Sequence, residues 1–493
     1  MYFGKKYRYY AQFYPIYPNM RQVYIISDLH IGGAASPDPR QRGFRLCTHT
    51  DILANFINSL ADSDEATELV INGDMVDFLA EEPFEVFTES QRAASAKLLR
   101  IINREQAFFD ALRHFLRQGH SLTILTGNHD IELTLPEVRQ LFERTIAAQG
   151  KKYRFITDGE AYTIGKEVII EHGDQYDTWN KIDHSGLLQL RKMQSRRELM
   201  PAKLPFVPPK GSALVRHIIN PLKKQYQFID LLKPENEAVL PILLALEPNL
   251  RNKIVTLLGL STGWTNANSF DPPTDTTERH IAEPTKRSRK INAQKLINDE
   301  LRHVLSEEDL KAFNRATPEL EKPAEMTETQ DRGWFDTYTW ASGLLSLLTQ
   351  KDDKNIKKRL PALLKALRVL QNDRSFDVSQ ESLREYETAA RHLVDNGYKY
   401  VIMGHTHFAR RVVLNENAGS IYFNCGTWAD LMRFPKAIFS GNDQDALAQL
   451  NVFIDQLLQN QLQEHLVFLP TYVHINLDDN EIVTDIALME YEG

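Results

Sequence analysis

Two rhythms of apolar and polar positions run along the chain. From Gln22 onward, short β-branched and aromatic runs end at polar turns, and the first, Val23-Tyr24-Ile25-Ile26 followed by Ser27-Asp28, predicts a buried strand. Further strands are predicted over 68–71, 121–125, 154–156, 161–164, 167–171 and 400–403. Between them the apolar spacing lengthens to the helical period, over 50–60 and over one long amphipathic helix at 97–116. A helix at 382–395, closed by Asn396-Gly397, leads into the strand at 400–403. A terminal hairpin is predicted from 472–477 and 482–489, turned at Asp478-Asp479-Asn480. Strand and helix in alternation make the fold class α/β.

That rhythm breaks in the middle of the chain. Eleven of the 22 prolines fall between Pro201 and Pro284, where short apolar segments alternate with basic clusters, which disfavours long strands. Helical periodicity returns over 291–313 and 353–370. Residues 178–385 are therefore expected to form a mostly helical insertion or cap, with 1–177 and 386–493 as the core. Its first stretch, Lys181 to Lys224, carries ten Lys/Arg against Asp183 and Glu198, a rim suited to a phosphate-bearing substrate or simply a solvated face. The apolar segments Val239–Leu246 and Ile254–Leu260 would line a lipid or nucleoside pocket, or form the cap's own core.

Composition narrows the class. With 493 residues, 42% apolar and 25% charged, the chain is a folded globular protein rather than a disordered or fibrous one. A net charge of −8 argues against a general nucleic-acid binder. Cys47 and Cys425 have neither the number for a disulfide framework nor the spacing of a thiolate zinc site, so a reducing, cytoplasmic setting is expected. Residues 1–20 lack the apolar core of a secretory signal. The longest apolar run, Ala238 to Leu246, is nine residues interrupted by Pro241, too short for a transmembrane segment.

The chemistry is concentrated at strand ends. Asp28-Leu29-His30, Gly73-Asp74, Gly127-Asn128-His129-Asp130, His172-Gly173-Asp174 and Gly404-His405-Thr406-His407 each follow a predicted strand, the edge at which open α/β sheets place ligand sites. Taken singly, Asp-x-His reads as a capping aspartate with an incidental histidine, and Gly-Asp as a turn. Five such clusters in order point instead to a metal site. Carboxylate, imidazole and amide oxygen together suit divalent first-row metals, whereas an all-oxygen calcium or magnesium cage would not need histidines.

The ordered set Asp28-x-His30, Gly73-Asp74-x-x-Asp77, Gly127-Asn128-His129-Asp130 and Gly404-His405-Thr406-His407 resembles the calcineurin-like metallophosphoesterase superfamily. Intervals of 46, 54 and 44 residues separate positions 28, 74, 128 and 172 as in ordinary members, whereas 233 residues separate 172 from 405. His172-Gly173-Asp174 and Asn424-Cys425-Gly426-Thr427-Trp428 are similar to the bacterial branch containing UDP-diacylglucosamine pyrophosphohydrolase, although position 129 is histidine where that enzyme type has arginine. The resemblance implies an αββα sandwich carrying a large, mostly helical insertion. It implies that Asp28, His30 and His407 hold one divalent ion and Asn128, His172 and His405 a second, with Asp74 bridging. Mn²⁺ is expected, with Fe or Zn²⁺ as alternatives. His129 would then protonate the leaving oxygen, Asp130 would hold its ring, and Asp77 would support from outside the ligand set. The implied function is metal-dependent hydrolysis of a small or lipid-linked phosphoester or pyrophosphate. A nuclease acting on DNA or RNA and a non-catalytic metal-binding scaffold are the alternatives, and the oligomeric state stays open.

Overall fold

The computed structural model describes residues 21–34, 43–233, 238–248, 343, 346–347, 355–368 and 376–493. In chain order its strands are β1 (Arg21–Ile26), β2 (Thr67–Asn72), β3 (Ser121–Leu125), β4 (Tyr153–Ile156), β5 (Tyr162–Ile164), β6 (Val168–Ile170), β7 (Tyr400–Met403), β8 (Ala409–Asn415), β9 (Ser420–Cys425), β10 (Leu431–Met432), β11 (Leu466–Val467), β12 (Thr471–Leu477) and β13 (Val483–Glu490). They form a six-stranded sheet, β13-β12-β1-β2-β3-β4, a five-stranded sheet, β5-β6-β7-β9-β8, and the small pair β10-β11. β1 to β4 run parallel, as do β6, β7 and β9, so their C-terminal ends share one edge of each sheet.

The period of two sorts each strand between two cores. Val23, Ile25 and Val70 face Ile170, Ile402 and Phe423 in the cluster between the sheets. Ile26, Leu69 and Ile71 point the other way, into a cluster with the helices α1 (Thr50–Ala61), α2 (Gln91–Arg104), α3 (Gln106–Arg117) and α4 (Pro136–Thr145). On the outer face of the second sheet, Val401 and Met403 pack with Tyr386 and Ala390 of the helix Arg384–Asp395. Helix, sheet, sheet and helix give the αββα sandwich, a mixed α/β architecture.

Most predicted strands and the terminal hairpin lie within a residue or two of the observed ones. The single helix expected over 97–116 is two helices, α2 and α3, broken at Glu105. That side chain is buried and turns to pair with Arg45, 2.9 Å away, and to accept from Thr50 Oγ1 at 2.8 Å. β8, β9 and the helix Asp443–Leu458 carry no element predicted from sequence.

Residues after β6 pack in two places. Leu187, Leu190 and Phe206, the first two on α5 (His184–Ser195), join the cluster of the first sheet's helices. Residues 218–232, 238–245 and 360–367 form another cluster with 432–462, and Val239 and Ile242 to Ala245 lie buried inside it, so that apolar segment is core rather than pocket lining. Ile254–Leu260 and the helix expected over 291–313 lie outside the described residues. No described helix is long and apolar enough to cross a membrane.

Candidate metal centre

Strand ends from both sheets meet at one edge. β1 delivers Asp28 and His30, β2 Asp74, β3 Asn128, β6 His172, and β7 His405 and His407. The turns that carry them are strained. Among the described residues, nine non-glycine positions have positive φ, and five are Asp28, His30, Asp74, His405 and His407. A left-handed backbone at a non-glycine residue costs about 1–3 kcal/mol and persists only where the surroundings enforce it, typically at functional sites. Close approach explains two glycines: a β-carbon on Gly127 would overlap Asp74, and one on Gly404 would overlap Ser27 Oγ and Asp28 Oδ2.

The side chains form two linked sets. Asp28, His30 and His407 offer ligand atoms within 4.8 Å of one another, as do Asp74, His172 and His405, and a third group, His30, Asp74 and His129, links the two. In the first set, His30 Nε2 lies 3.0 Å from His407 Nε2, and Asp28 Oδ1 lies 3.5 Å from the latter. Asp74 Oδ2 stands between the sets, 3.7 Å from His30 Nε2 and 3.4 Å from His172 Nε2. His172 Nδ1 donates to the Asn72 carbonyl at 2.8 Å, which leaves Nε2 with its lone pair facing Asp74.

A divalent cation fits this donor set. Asp28 Oδ1, Asn128 Oδ1 and His172 Nε2 are buried with no hydrogen-bond partner within the chain, an arrangement that costs on the order of 1–3 kcal/mol per atom unless something compensates it. Burial, Lys233 and the neighbouring histidines hold His407 well below the usual imidazole range, in the neutral form that ligates. At His172 burial opposes the charged ring, but Asp74 and Asp28 raise its pKa well above normal, so proton and cation compete there. Burial also disfavours ionised Asp74, yet His172, His129 and His30 outweigh it and keep the carboxyl far below its ordinary value.

His129 lies beside the ligands, its ring edge-on to His30 with centroids 4.7 Å apart. The expectation that Asp130 holds this ring is corrected by the structure. Asp130 instead accepts from Gly127 N and Met75 N, both at 2.8 Å, and so ties the β3 turn to the β2 turn. Asp77 takes the place against the ring, with Oδ1 3.3 Å from His129 Nδ1. Burial works against a charged His129, but Asp77 and Asp74 prevail and raise its pKa to about 9.

Two residues that sequence reasoning passed over also reach the centre. Asp177 Oδ2 lies 3.2 Å from His405 Nε2. Lys233 is buried and brings its ammonium within electrostatic reach of His129 and His407. Both belong to runs in which several charged residues were equally eligible, and only the fold distinguishes them. In the basic stretch before Lys233, Lys223 pairs with Asp230 and donates to Phe44 O, Arg191 donates to Thr157 O, and Arg196 pairs with Glu198.

The carboxylate and imidazole cluster at the shared edge of the two packed sheets could hold divalent metal ions. Residues 21–230 match the calcineurin-like phosphoesterase family, whose members are metal-dependent phosphoesterases, a match that supports a metal-dependent phosphoester hydrolase. The matched span ends before His405 and His407, which reach the centre through the parallel pairing of β7 with β6. No curated protein matches the chain significantly.

Proposed function

We propose that the chain hydrolyses a phosphoester or pyrophosphate bond of a small or lipid-linked molecule at a centre of two divalent ions, Mn²⁺ foremost, with Fe or Zn²⁺ as alternatives. The convergence of seven candidate ligand residues from five strand ends, with Asp28 Oδ1, Asn128 Oδ1 and His172 Nε2 among the buried, unpartnered atoms, carries this reading. Asp28, His30 and His407 would hold one ion and Asn128, His172 and His405 the other, with Asp74 available to both. Bound ions would neutralise the phosphoryl oxygens and activate water for in-line displacement.

The remaining work falls to the chain's own groups. His129, kept protonated by Asp77, gives its proton to the leaving oxygen. Asp130 fixes the two turns that position Asp74 and Asn128. Lys233 steers a phosphoryl oxygen toward the centre. Residues 178–385 act as a cap, and the apolar core of their described part is shared with 432–462. The similarity of His172–Asp174 and Asn424–Trp428 to the pyrophosphohydrolase branch supports a lipid-linked pyrophosphate, and the two buried free thiols support a cytoplasmic location.

A panel of phosphomonoester, phosphodiester, pyrophosphate and single-stranded DNA substrates with added Mn²⁺ tests the reading. Metal-dependent turnover of a small ester or pyrophosphate is expected. Preference for DNA with affinity falling steeply with salt would replace it with a nuclease. No turnover with both ions bound would replace it with a scaffold.

A further inference from the structure

The His405 ring is held from both ends of the insertion. Asp177, just before the segment, places Oδ2 3.2 Å from His405 Nε2. Tyr386, just after it, is buried and stacks on the same ring, with centroids 6.3 Å apart and planes 26° apart. Both residues are themselves held in place. Asp177 also accepts from Trp179 N at 2.8 Å and Asn180 Nδ2 at 2.7 Å, while Tyr386 meets Tyr176 edge-on at 6.1 Å.

A neutral imidazole has one proton, and an ionised carboxylate only accepts, so the proton on a ring facing Asp177 sits on Nε2. The lone pair then belongs to Nδ1, which is buried and has no hydrogen-bond partner within the chain. His172 shows the reverse arrangement, with Nδ1 donating to Asn72 O and Nε2 free. Two histidines of one set therefore present different nitrogens, and each choice follows from the partner behind the ring.

We propose that Asp177 and Tyr386 are positioning residues that lock His405 in the Nε2–H form and aim its Nδ1 lone pair at the cation shared with Asn128 and His172. The flanks of the insertion thereby set the geometry of one of the two metal positions. This inference rests on the ligand set proposed above. A carboxylate behind a ligating histidine fixes its tautomer and orientation, and its loss typically weakens metal binding ~10–100-fold.

Calorimetric titration of the metal-free full chain with Mn²⁺ tests it, using wild type, Asp177→Ala, Asp177→Asn, Tyr386→Leu and His405→Ala. The expected result is that Asp177→Ala weakens one of two equivalents by about 10–100-fold, Asp177→Asn, which keeps an oxygen acceptor, returns it to within about threefold of wild type, and Tyr386→Leu gives a smaller loss in that same equivalent. His405→Ala should abolish that equivalent. Two normal equivalents in His405→Ala would overturn the ligand set itself. Loss of one equivalent in His405→Ala with both retained in Asp177→Ala would overturn the positioning inference alone. Equal weakening of both equivalents in Asp177→Ala and Asp177→Asn would also overturn it, because the role would then be structural.

Discussion

Asp77 faces His129 across 3.3 Å, although Asp130 is the carboxylate next to that histidine in the sequence. The same Asp77 Oδ1 accepts from Leu79 N at 2.9 Å and Ala80 N at 3.0 Å, and Oδ2 lies 3.6 Å from His30 Nδ1. One fixed carboxylate thus touches both the proposed acid and a proposed ligand.

His129→Ala should retain both metals and lose about 10²–10⁴ in turnover, with a smaller loss on p-nitrophenyl esters, whose leaving group needs little protonation. Metal content and kcat measured on the same preparation check this. Release of metal would make His129 a ligand instead.

Asp130→Ala should behave differently from Asp77→Asn. Removing the partner of two buried backbone N–H groups should lower unfolding free energy by about 2–4 kcal/mol while leaving the shape of the pH–rate profile unchanged. Asp77→Asn removes the charge that raises the His129 pKa, so the alkaline limb of its kcat/KM profile should move to lower pH. Denaturant unfolding and pH–rate profiles of the two variants separate the roles.

In the metal-free protein, His129 titrates near 9 rather than at 6.5, because Asp77 and Asp74 overcome the effect of burial. The folded state holds its proton more tightly than the unfolded state. The resulting stabilisation is fully present below 6.5 and is lost as pH rises through about 9, amounting to a few kcal/mol. Urea unfolding of metal-free wild type and His129→Ala should therefore differ most near pH 6 and converge above pH 9.

Lys233→Ala should raise KM several-fold with a smaller change in kcat, since it removes a cation that attracts the phosphoryl group in ground and transition states alike. Charge reversal at Arg196 and Arg197 should leave both constants within about twofold, because a solvated, locally paired face contributes little. Steady-state kinetics of the three variants on one small ester check both statements.

Most strands, and the gathering of the seven ligand candidates at one sheet edge, were legible because buried parallel strands leave continuous β-branched runs and their ends carry conspicuous polar residues. β8 was not, since Arg410 and Arg411 break its apolar pattern, and Arg410 is buried near Glu381 rather than exposed. The break between α2 and α3 depends on Arg45 and Thr50, about 55 residues from Glu105. The partner of His129 was misread for a related reason: Asp77 lies on another strand's turn, and only the pairing of β2 with β3 brings it near. Asp177 and Lys233 depend in the same way on how the insertion packs, which no local spacing reports.

Metal analysis after reconstitution tests the central claim most directly. Two equivalents of divalent ion per chain are expected in wild type, and fewer than one in Asp74→Ala, which removes the carboxylate standing between the two sets. Fewer than two equivalents in wild type, or unchanged content in Asp74→Ala, would contradict a bridged centre of two ions.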